Sequence, residues 1–290
     1  MPVNRIVTYG RMIKFPHTIF ALPFALSAVV LALKDYSMRS VWDILWILLA
    51  MVGARSAAMG FNRIVDARFD AANPRTMNRE IPTGKISKLA AAMFVSLSSL
   101  LFIVSAAMLS RICFYLSFPV LGLLLSYSFA KRYTALCHIY LGFVISLAPM
   151  GAWIAITGDF SLRIVFLSLA LMTYIAGFDI IYACQDYDFD RRAGLFSIPA
   201  KLGLRKALII SSLLHAVSTA CLALIYPFFD MHMIYLLSVV IIGILYAIEH
   251  GVVRPDHPDS IQLAFFNINS IISIVLFVGI AADVAVEKLL

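Results

Sequence analysis

The sequence predicts an all-α fold, a polytopic membrane bundle of nine transmembrane helices. Of its 290 residues, 62% are hydrophobic and only 13% are charged, whereas soluble domains contain about 45–50% apolar and about 25% charged residues. Apolar stretches near 20 residues, the length that crosses about 30 Å of hydrocarbon, follow one another without a polar domain between them. We therefore expect the lipid bilayer as partner, and the net charge of +7 is interpreted as a signal of sidedness rather than of nucleic-acid binding.

The apolar stretches are separated by short polar or charged segments. The first ends at Lys34 and Asp35 rather than at a small-residue cleavage site, so it is predicted to be a retained span and not a signal peptide. The second runs into a basic loop, and the sixth into a segment rich in Asp and Arg. In chain order the predicted spans are 16–34, 41–62, 87–109, 112–130, 136–157, 161–184, 206–228, 231–249 and 262–285.

The distribution of Lys and Arg predicts the orientation of the spans. With the N-terminus in the cytoplasm, 17 of these residues fall on the inner side and 5 on the outer side, and only Arg55 lies within a span. Short cytoplasmic loops are enriched in Lys and Arg. The sequence therefore predicts an integral protein of the inner (cytoplasmic) membrane with a cytoplasmic N-terminus.

Carboxylates recur at four-residue spacing where two of the spans end on the predicted cytoplasmic side. Asn62, Asp66 and Asp70 follow the second span, and Asp186 and Asp190 follow the sixth. Four residues advance a helix by about 6 Å and roughly one turn, so each set can occupy one helix face at the C-terminal end of its span. Such acids are costly at membrane ends unless a cation compensates them.

A faint internal repeat accompanies the two acidic motifs. The first pair of Asp residues precedes the second by 120 positions, and residues 81–85 (IPTGK) are echoed by residues 198–201 (IPAK). We interpret the chain as a single domain, residues 1–290, built of two four-helix pseudo-repeats plus one helix. Repeats in membrane proteins often meet at the functional site.

The residue types around the acids favour a Mg²⁺–diphosphate site. Oxygen ligands without a nearby His or Cys pattern suit Mg²⁺, which typically bridges carboxylates to substrate phosphates. Basic residues that grip oxyanions lie beside both motifs: Arg63, Arg68, Arg75, Arg79, Lys85, Lys131, Arg132, Arg191 and Arg192. Two acidic motifs of matched spacing are not explained by the inner-surface excess of basic residues alone.

A few further positions are singled out, whereas the histidines and the four cysteines are expected to pack in the core or at the membrane interface. Tyr127 and Lys131 are four apart at the end of the fourth span. Arg55 lies about two turns inside the second span, where a buried cation requires a partner or an anionic ligand. Asp179, inside the sixth span, is a weaker candidate of the same kind.

In these motifs the sequence resembles the UbiA superfamily of intramembrane aromatic prenyltransferases. The resemblance rests on three elements in order: Asn62-x-x-x-Asp66-x-x-x-Asp70, Tyr127-x-x-x-Lys131, and Asp186-x-x-x-Asp190. It implies a nine-helix architecture and the Mg²⁺-dependent transfer of a polyprenyl group from polyprenyl diphosphate to an aromatic acid. The active site would face the cytoplasm.

The resemblance also implies roles for individual residues. The catalytic and metal set would be Asn62, Asp66, Asp70, Asp186 and Asp190. By the same match Lys131 would grip the diphosphate and Tyr127 would help shape the site. Independently of the match, the further predicted substrate-binding residues are Asn62, Arg55, Arg63, Arg79 and Tyr182. The family often shows Arg-Pro-Leu-Pro-Ser-Gly after its first motif, whereas residues 79–84 read Arg-Glu-Ile-Pro-Thr-Gly, which leaves the role of Arg79 open.

The acceptor is expected to be a hydroxylated aromatic acid, because residues 177–199 resemble the 4-hydroxybenzoate branch of this superfamily. A dihydroxynaphthoate for menaquinone synthesis is the alternative, and we hypothesise that Arg55 contacts the carboxylate of either. Other acceptors within the superfamily, a CDP-alcohol phosphotransferase and a cation-coupled secondary transporter are the competing interpretations. Prenyl chain length and oligomeric state do not follow from the sequence.

Overall fold

A computed structural model describes residues 5–254 and 258–289; the rest of the predicted 1–290 domain lies outside the described residues. These residues divide into two compact units. The first comprises the residues up to Thr18 together with Val41–Ala130, and the second comprises Ile19–Ser40 and the residues from Lys131 onward. The first unit thus contains spans 2 to 4 and the start of span 1, and the second contains the rest of span 1 and spans 5 to 9. The internal pseudo-repeat stays a prediction.

Within the described part of the chain all regular structure is helical, and nine helical spans are long and apolar enough to cross a membrane. This confirms the predicted fold class. The predicted ends agree to within a few residues, except where span 6 continues past residue 184. Spans 1 to 9 are Phe15–Asp35, Trp42–Val65, Lys88–Leu109, Arg111–Ala130, Cys137–Thr157, Leu162–Ala193, Leu204–Phe228, Met233–Val252 and Ser260–Glu287.

Three of the spans are not continuous α-helices. Span 1 begins as a 3₁₀ helix, Phe15–Phe20, before the α-helix Leu22–Asp35, and span 9 contains a π-helical segment, Leu263–Ile268. In span 6 the α-helix Leu162–Ala183 gives way to a 3₁₀ turn, Cys184–Asp186, and to a second helix, Tyr187–Ala193. Short 3₁₀ and π segments often mark functional positions within helices. Here the 3₁₀ turn Cys184–Asp186 coincides with the start of the second acidic motif.

In the first unit, spans 2 and 3 pack through small residues. A Cβ atom added at Gly53 would lie 2.7 Å from the backbone nitrogen of Phe102, so only glycine permits this approach. Such close backbone contacts drive helix association in lipid, where apolar side chains gain little by leaving the solvent. Span 3 exposes one apolar stripe at helical spacing, which suits a lipid-facing surface: Leu89, Met93, Leu97, Leu100, Val104 and Met108.

In the second unit, span 6 is the central helix and packs against spans 5 and 7. Most of the helix Leu162–Ala183 is buried, which explains why its sequence is apolar on all sides. Span 5 approaches it closely at Gly142, where a Cβ atom would lie 2.2 Å from the carbonyl oxygen of Met172. The segment that leads into the second acidic motif is therefore held from two sides.

One end of the second unit carries ion pairs between span ends that are distant in sequence. Lys34 Nζ lies 2.7 Å from Glu287 Oε2 and donates to the carbonyl oxygen of Asp230, while Arg163 Nη1 lies 3.5 Å from Asp35 Oδ2. The ends of spans 1, 7 and 9 and the start of span 6 thus lie together. Because consecutive predicted spans cross the membrane in opposite directions, the ends of odd-numbered spans and the starts of even-numbered spans are expected on the same side.

A buried carboxylate of span 9 caps span 8 from outside. Asp283 Oδ2 accepts from the backbone N–H of His232 at 2.8 Å, and Oδ1 accepts from that of Tyr235 at 3.0 Å. His232 is the N-cap residue of the helix Met233–Val252 and makes no side-chain cap, and Tyr235 lies in the first turn of this helix. The free donors of a helix start therefore satisfy a carboxylate that is 1% exposed.

Replacing Asp283 by Ala is expected to lower the stability of the purified protein by about 1–3 kcal/mol, because a helix cap and two hydrogen bonds to a charged acceptor are lost. Thermal unfolding in detergent measures the change. Asp35→Ala is the matched control: its carboxylate is exposed, and an exposed ion pair contributes about 0–1 kcal/mol. Equal unfolding temperatures for the two variants would contradict the capping role.

Candidate active site

The first acidic motif spans the junction between span 2 and a short helix, Ala67–Ala72. Asn62 lies in the last turn of span 2, Asp66 is the residue at the junction, and Asp70 lies in the first turn of the short helix. The Asp66 N–H donates to the Asn62 carbonyl at 2.9 Å and the Asp70 N–H to the Asp66 carbonyl at 2.8 Å. The one-turn spacing therefore persists across the break.

The first motif does not lie entirely at the C-terminal end of span 2, as the spacing predicted. Asn62 and Asp66 lie at the end of span 2, whereas Asp70 lies in the first turn of the next helix, where the free backbone N–H groups favour negative charge. The break occurs at Asp66, whose φ of −87° and ψ of 2° leave the α-helical range. The four-residue spacing could not show this break, because the hydrogen bonds are the same on both sides of it.

Asn62 and Arg63 tie the start of the motif to the rest of the unit. The Asn62 amide nitrogen donates to Asp66 Oδ2 at 2.8 Å. Arg63 is buried, and its Nε donates to the carbonyl oxygen of Met12 at 3.1 Å. The predicted substrate-binding residue Arg63 thus uses part of its guanidinium to hold the N-terminal helix Arg5–Met12.

Asp70 is buried beside the cation whose role the sequence left open. Arg79 Nη1 lies 2.7 Å from Asp70 Oδ1. The other carboxylate oxygen, Oδ2, is buried and has no hydrogen-bond partner among the described residues. The hydroxyl of Thr76 donates to the Asp70 backbone carbonyl, which fixes the loop that brings Arg79 back. The changed residue at position 80 therefore does not prevent Arg79 from reaching the first motif.

The second motif coincides with the break in span 6. Asp186 closes the 3₁₀ turn and is 6% exposed; Asp190 lies in the helix Tyr187–Ala193 and is fully buried. Here too the first Asp lies at the break and the second opens a short helix. Lys131 Nζ lies 2.8 Å from Asp190 Oδ1.

The Lys131–Asp190 pair joins the loop after span 4 to the second motif. Burial alone would lower the pKa of Lys131, but the Asp190 carboxylate outweighs that effect and the pKa lies above its ordinary value. The backbone N–H of Phe196 donates to the Lys131 carbonyl at 2.7 Å. Lys131 is therefore held at its side chain and at its backbone by the same segment, residues 190–196.

A pair of a buried histidine and a partly buried aspartate lies behind this segment and was not predicted from the sequence. His138 Nδ1 lies 2.6 Å from Asp179 Oδ2, and the backbone N–H of Ile198 donates to His138 Nε2 at 3.4 Å. Since Nε2 accepts, Nδ1 carries the proton and donates to the carboxylate. The isolated acid inside span 6 was the only available signal, because its partner lies on a different span.

The remaining predicted site residues are Arg55, Tyr127 and Tyr182. Arg55 Nη2 donates to the carbonyl oxygen of Lys14 at 3.3 Å, and its buried Nε has no hydrogen-bond partner among the described residues. The Tyr127 hydroxyl lies 3.9 Å from the sulfur of Met59. Tyr182 is half-buried, two residues before the break in span 6.

Most of the chain matches one known protein family. Residues 21–271 match the model of the UbiA prenyltransferase family. The chain belongs to this family. The predicted resemblance is thereby confirmed, and the chain is an integral membrane protein and a prenyltransferase. The transporter interpretation is not supported.

Curated relatives and solved structures agree with this family. The 4-hydroxybenzoate octaprenyltransferase of Vibrio parahaemolyticus is 30% identical over 241 residues, which is 82% of this chain and 84% of the relative. That of Citrobacter koseri is 31% identical over 242 residues, 82% and 83% of the two chains. The apo structure of a UbiA homolog from Aeropyrum pernix K1 has a TM-score of 0.83 at 32% identity, covering 94% of this chain and 98% of the other.

A second UbiA homolog, from Archaeoglobus fulgidus, was solved bound to GPP and Mg²⁺. It has a TM-score of 0.72 at 19% identity and covers 94% of this chain and 99% of its own. At this identity the likeness shows the fold alone. The nine-span arrangement is thus shared with UbiA proteins of low sequence similarity.

Replacing Lys131 by Met should destabilise the protein by about 1–2 kcal/mol, since Asp190 is left buried without its cation; the value is reduced because Lys131 is one-third exposed. The raised pKa of Lys131 means that this stabilisation is present at neutral pH and is lost only as the pH rises above about 10.4. Thermal unfolding in detergent without added metal measures the loss. The double variant Lys131→Met/Asp190→Asn should regain part of it, and a single variant as stable as the wild type would contradict the pairing.

Proposed function

We propose that this chain transfers a polyprenyl group from polyprenyl diphosphate to the ring of a 4-hydroxybenzoate-like acid in quinone biosynthesis. The observation that carries the proposal is the matched construction of the two acidic motifs. In each, the second Asp is buried in a short helix after a break and is paired with one cation: Asp70 with Arg79 and Asp190 with Lys131. The names of the curated relatives support the substrate class.

The donor atoms of the motifs fit the divalent cation that the family implies. All are oxygens, from Asn62, Asp66, Asp70, Asp186 and Asp190, which is the ligand type that Mg²⁺ prefers. Asp70 Oδ2 is buried without a hydrogen-bond partner in the described chain, so a carboxylate oxygen is available for an ion. We assign these five residues as the Mg²⁺ and diphosphate set. Bound Mg²⁺ would neutralise the charge that develops on the leaving diphosphate.

The protein's own residues assist the same bond cleavage. The allylic C–O bond of the donor breaks, a ring carbon beside the acceptor hydroxyl forms the new C–C bond, and the diphosphate and one ring proton leave. Arg79 and Lys131, already held by their carboxylates, are fixed cations for the departing oxyanion, and fixed charges avoid reorganisation during the reaction. Enclosure by the membrane spans keeps water from the cation-like carbon, and Tyr127 and Tyr182 are proposed to shape its pocket.

Arg55 is the residue that we assign to the carboxylate of the acceptor. It is half-buried in span 2, with one long hydrogen bond to the Lys14 carbonyl and a buried Nε that has no hydrogen-bond partner in the described part of the chain. Arg63 of the same helix also reaches the N-terminal segment, through Met12. A half-buried guanidinium with an unused donor is suited to a carboxylate, which accepts two parallel hydrogen bonds.

We also propose an orientation of the chain in the membrane. The excess of Lys and Arg on one side supports a cytoplasmic N-terminus, with both acidic motifs and the active site at the cytoplasmic face of the inner membrane. Residues 1–290 are proposed to work as one catalytic domain.

The decisive assay is product mass analysis with purified protein, Mg²⁺, a polyprenyl diphosphate and, in parallel, 4-hydroxybenzoate or a dihydroxynaphthoate. Prenylated 4-hydroxybenzoate is expected; the naphthoate product alone would reassign the acceptor, and no product from either would refute the proposal. Asp66→Asn and Asp186→Asn should each lower turnover at least about 100-fold. Asp188→Asn, an exposed carboxylate between the two acids of the second motif, is the control and should retain activity.

Replacing Arg55 by Ala should raise the KM for the aromatic acceptor about 10-fold or more, because a charge-assisted hydrogen bond contributes about 1.5–3 kcal/mol. The KM for the prenyl diphosphate should change little. Steady-state kinetics with each substrate varied in turn separates the two. Arg11→Ala, an exposed basic residue of the N-terminal helix, is the control, and an unchanged acceptor KM in Arg55→Ala would remove the assignment.

A further inference from the structure

A second group of potential ligands lies inside the second unit, apart from the acidic motifs. His215 of span 7 and Glu249 and His250 of span 8 each direct one ligand atom into a common space, and these atoms lie within 4.8 Å of one another. His215 Nε2 contacts the carbonyl oxygen of Tyr174, which precedes Asp186 by twelve positions, about 18 Å along a helix. The group is therefore distinct from the proposed Mg²⁺ ligands.

We propose that His215, Glu249 and His250 form a binding site for a late first-row divalent cation such as Zn²⁺. His215 Nδ1 lies 3.0 Å from His250 Nε2 and 3.3 Å from Glu249 Oε2. Ligand atoms at the corners of a tetrahedron with bonds of 2.0–2.1 Å are about 3.3–3.4 Å apart. The observed separations are thus close to those that a tetrahedral ion requires.

The protonation of His215 leaves a need for positive charge in this space. The Tyr174 carbonyl can only accept, so the 3.3 Å contact assigns the proton of neutral His215 to Nε2. The lone pair of Nδ1 then faces both His250 Nε2 and a carboxylate oxygen of Glu249, and that oxygen makes no hydrogen bond among the described residues. Glu249 is fully buried. A cation at this point would satisfy both lone pairs and the carboxylate charge.

The groups behind the ligands have the arrangement that supports metal sites. The Asn269 amide donates to Glu249 Oε1 at 2.7 Å, which orients the carboxylate and leaves Oε2 for the ion. His215 donates its other ring N–H to a backbone carbonyl, the usual way in which a ligating imidazole is oriented. The ring of His215 also stacks on Tyr246, with centroids 4.3 Å apart. Neither imidazole nor carboxylate is free to turn away.

Space and access also agree with an ion at this position. A Cβ atom at Gly177 would lie 2.3 Å from His215 Nε2, so the close approach of spans 6 and 7 at the cluster depends on glycine. His250 is partly exposed and Gly251 is exposed, which provides an entry path from the end of span 8. Two imidazole nitrogens and one carboxylate favour Zn²⁺ over Mg²⁺, which prefers oxygen ligands. The ion would join span 7 to span 8 and leave one coordination position for water.

The binding test uses purified full-length protein, stripped with a chelator and then given Zn²⁺ in an excess of Mg²⁺ that occupies the oxygen-only motifs. After desalting, elemental analysis is expected to find roughly one tightly bound Zn²⁺ per wild-type chain, and Co²⁺ should give the visible absorption of a tetrahedral N/O site. Glu249→Gln and His215→Gln should lose both signals. His232→Ala removes an exposed histidine outside the cluster and should keep them.

Thermal unfolding gives a second readout that also checks folding. Zn²⁺ should raise the Tm of the wild type and not that of Glu249→Gln, because only the intact site binds the ion in the folded state. If a ligand variant fails to fold, Asn269→Ala retains all three ligands and should bind Zn²⁺ about 10–100-fold more weakly. Equal Zn²⁺ content in the wild type and Glu249→Gln would overturn the proposal and leave a hydrogen-bonded network. None of these measurements depends on prenyl transfer.

Discussion

Buried negative charge is the constraint on which this structure depends. A carboxylate removed from water loses several kcal/mol of solvation unless a cation or hydrogen-bond donors replace the water. The buried acids solve this differently: Asp70 and Asp190 each take one side-chain cation, and Asp283 takes the free N–H groups of a helix start. Glu249 takes an amide on one oxygen only. Asp70 and Asp190, which we propose for the chemistry, are thus held by the side chains of Arg79 and Lys131, and these cations could also contact a substrate.

The breaks in the helices follow from the same constraint. A continuous helix would place every acid of a motif at its C-terminal end, where the peptide dipoles oppose negative charge. The chain instead restarts a short helix at Asp66 and again after Asp186. Each restart supplies free N–H groups near the second Asp. The motif spacing and the broken backbone therefore belong to one solution, repeated in both units.

Much of the fold was predictable because the membrane imposes it on local sequence. The span lengths and the lack of polar domains between the spans follow from short windows of sequence, and the ends of the nine spans were located to within a few residues except for the end of span 6. The acidic motifs were visible for the same reason, since four-residue spacing is local. The family resemblance then supplied the chemistry that spacing alone does not contain.

The contacts between different spans could not be predicted from short windows of sequence. Arg79 was predicted to bind substrate, but its partner Asp70 could not be predicted because the path of a loop brings the two together. His138 and Asp179 are 41 positions apart, and His215 and Glu249 come from different spans, so each was an isolated polar residue in an apolar stretch. Close packing at Gly142, between spans 5 and 6, and at Gly177, between spans 6 and 7, accompanies these contacts.

The backbone hydrogen bond from Asp70 to Asp66 makes the spacing of these two acids independent of the tilt of span 2. Bilayers differ in thickness, and spans respond by tilting. The spacing of the two acids is set locally, across the break and outside span 2, so a change of tilt does not alter it. The same sequence can therefore serve membranes of different lipid composition while its acidic motif keeps one geometry.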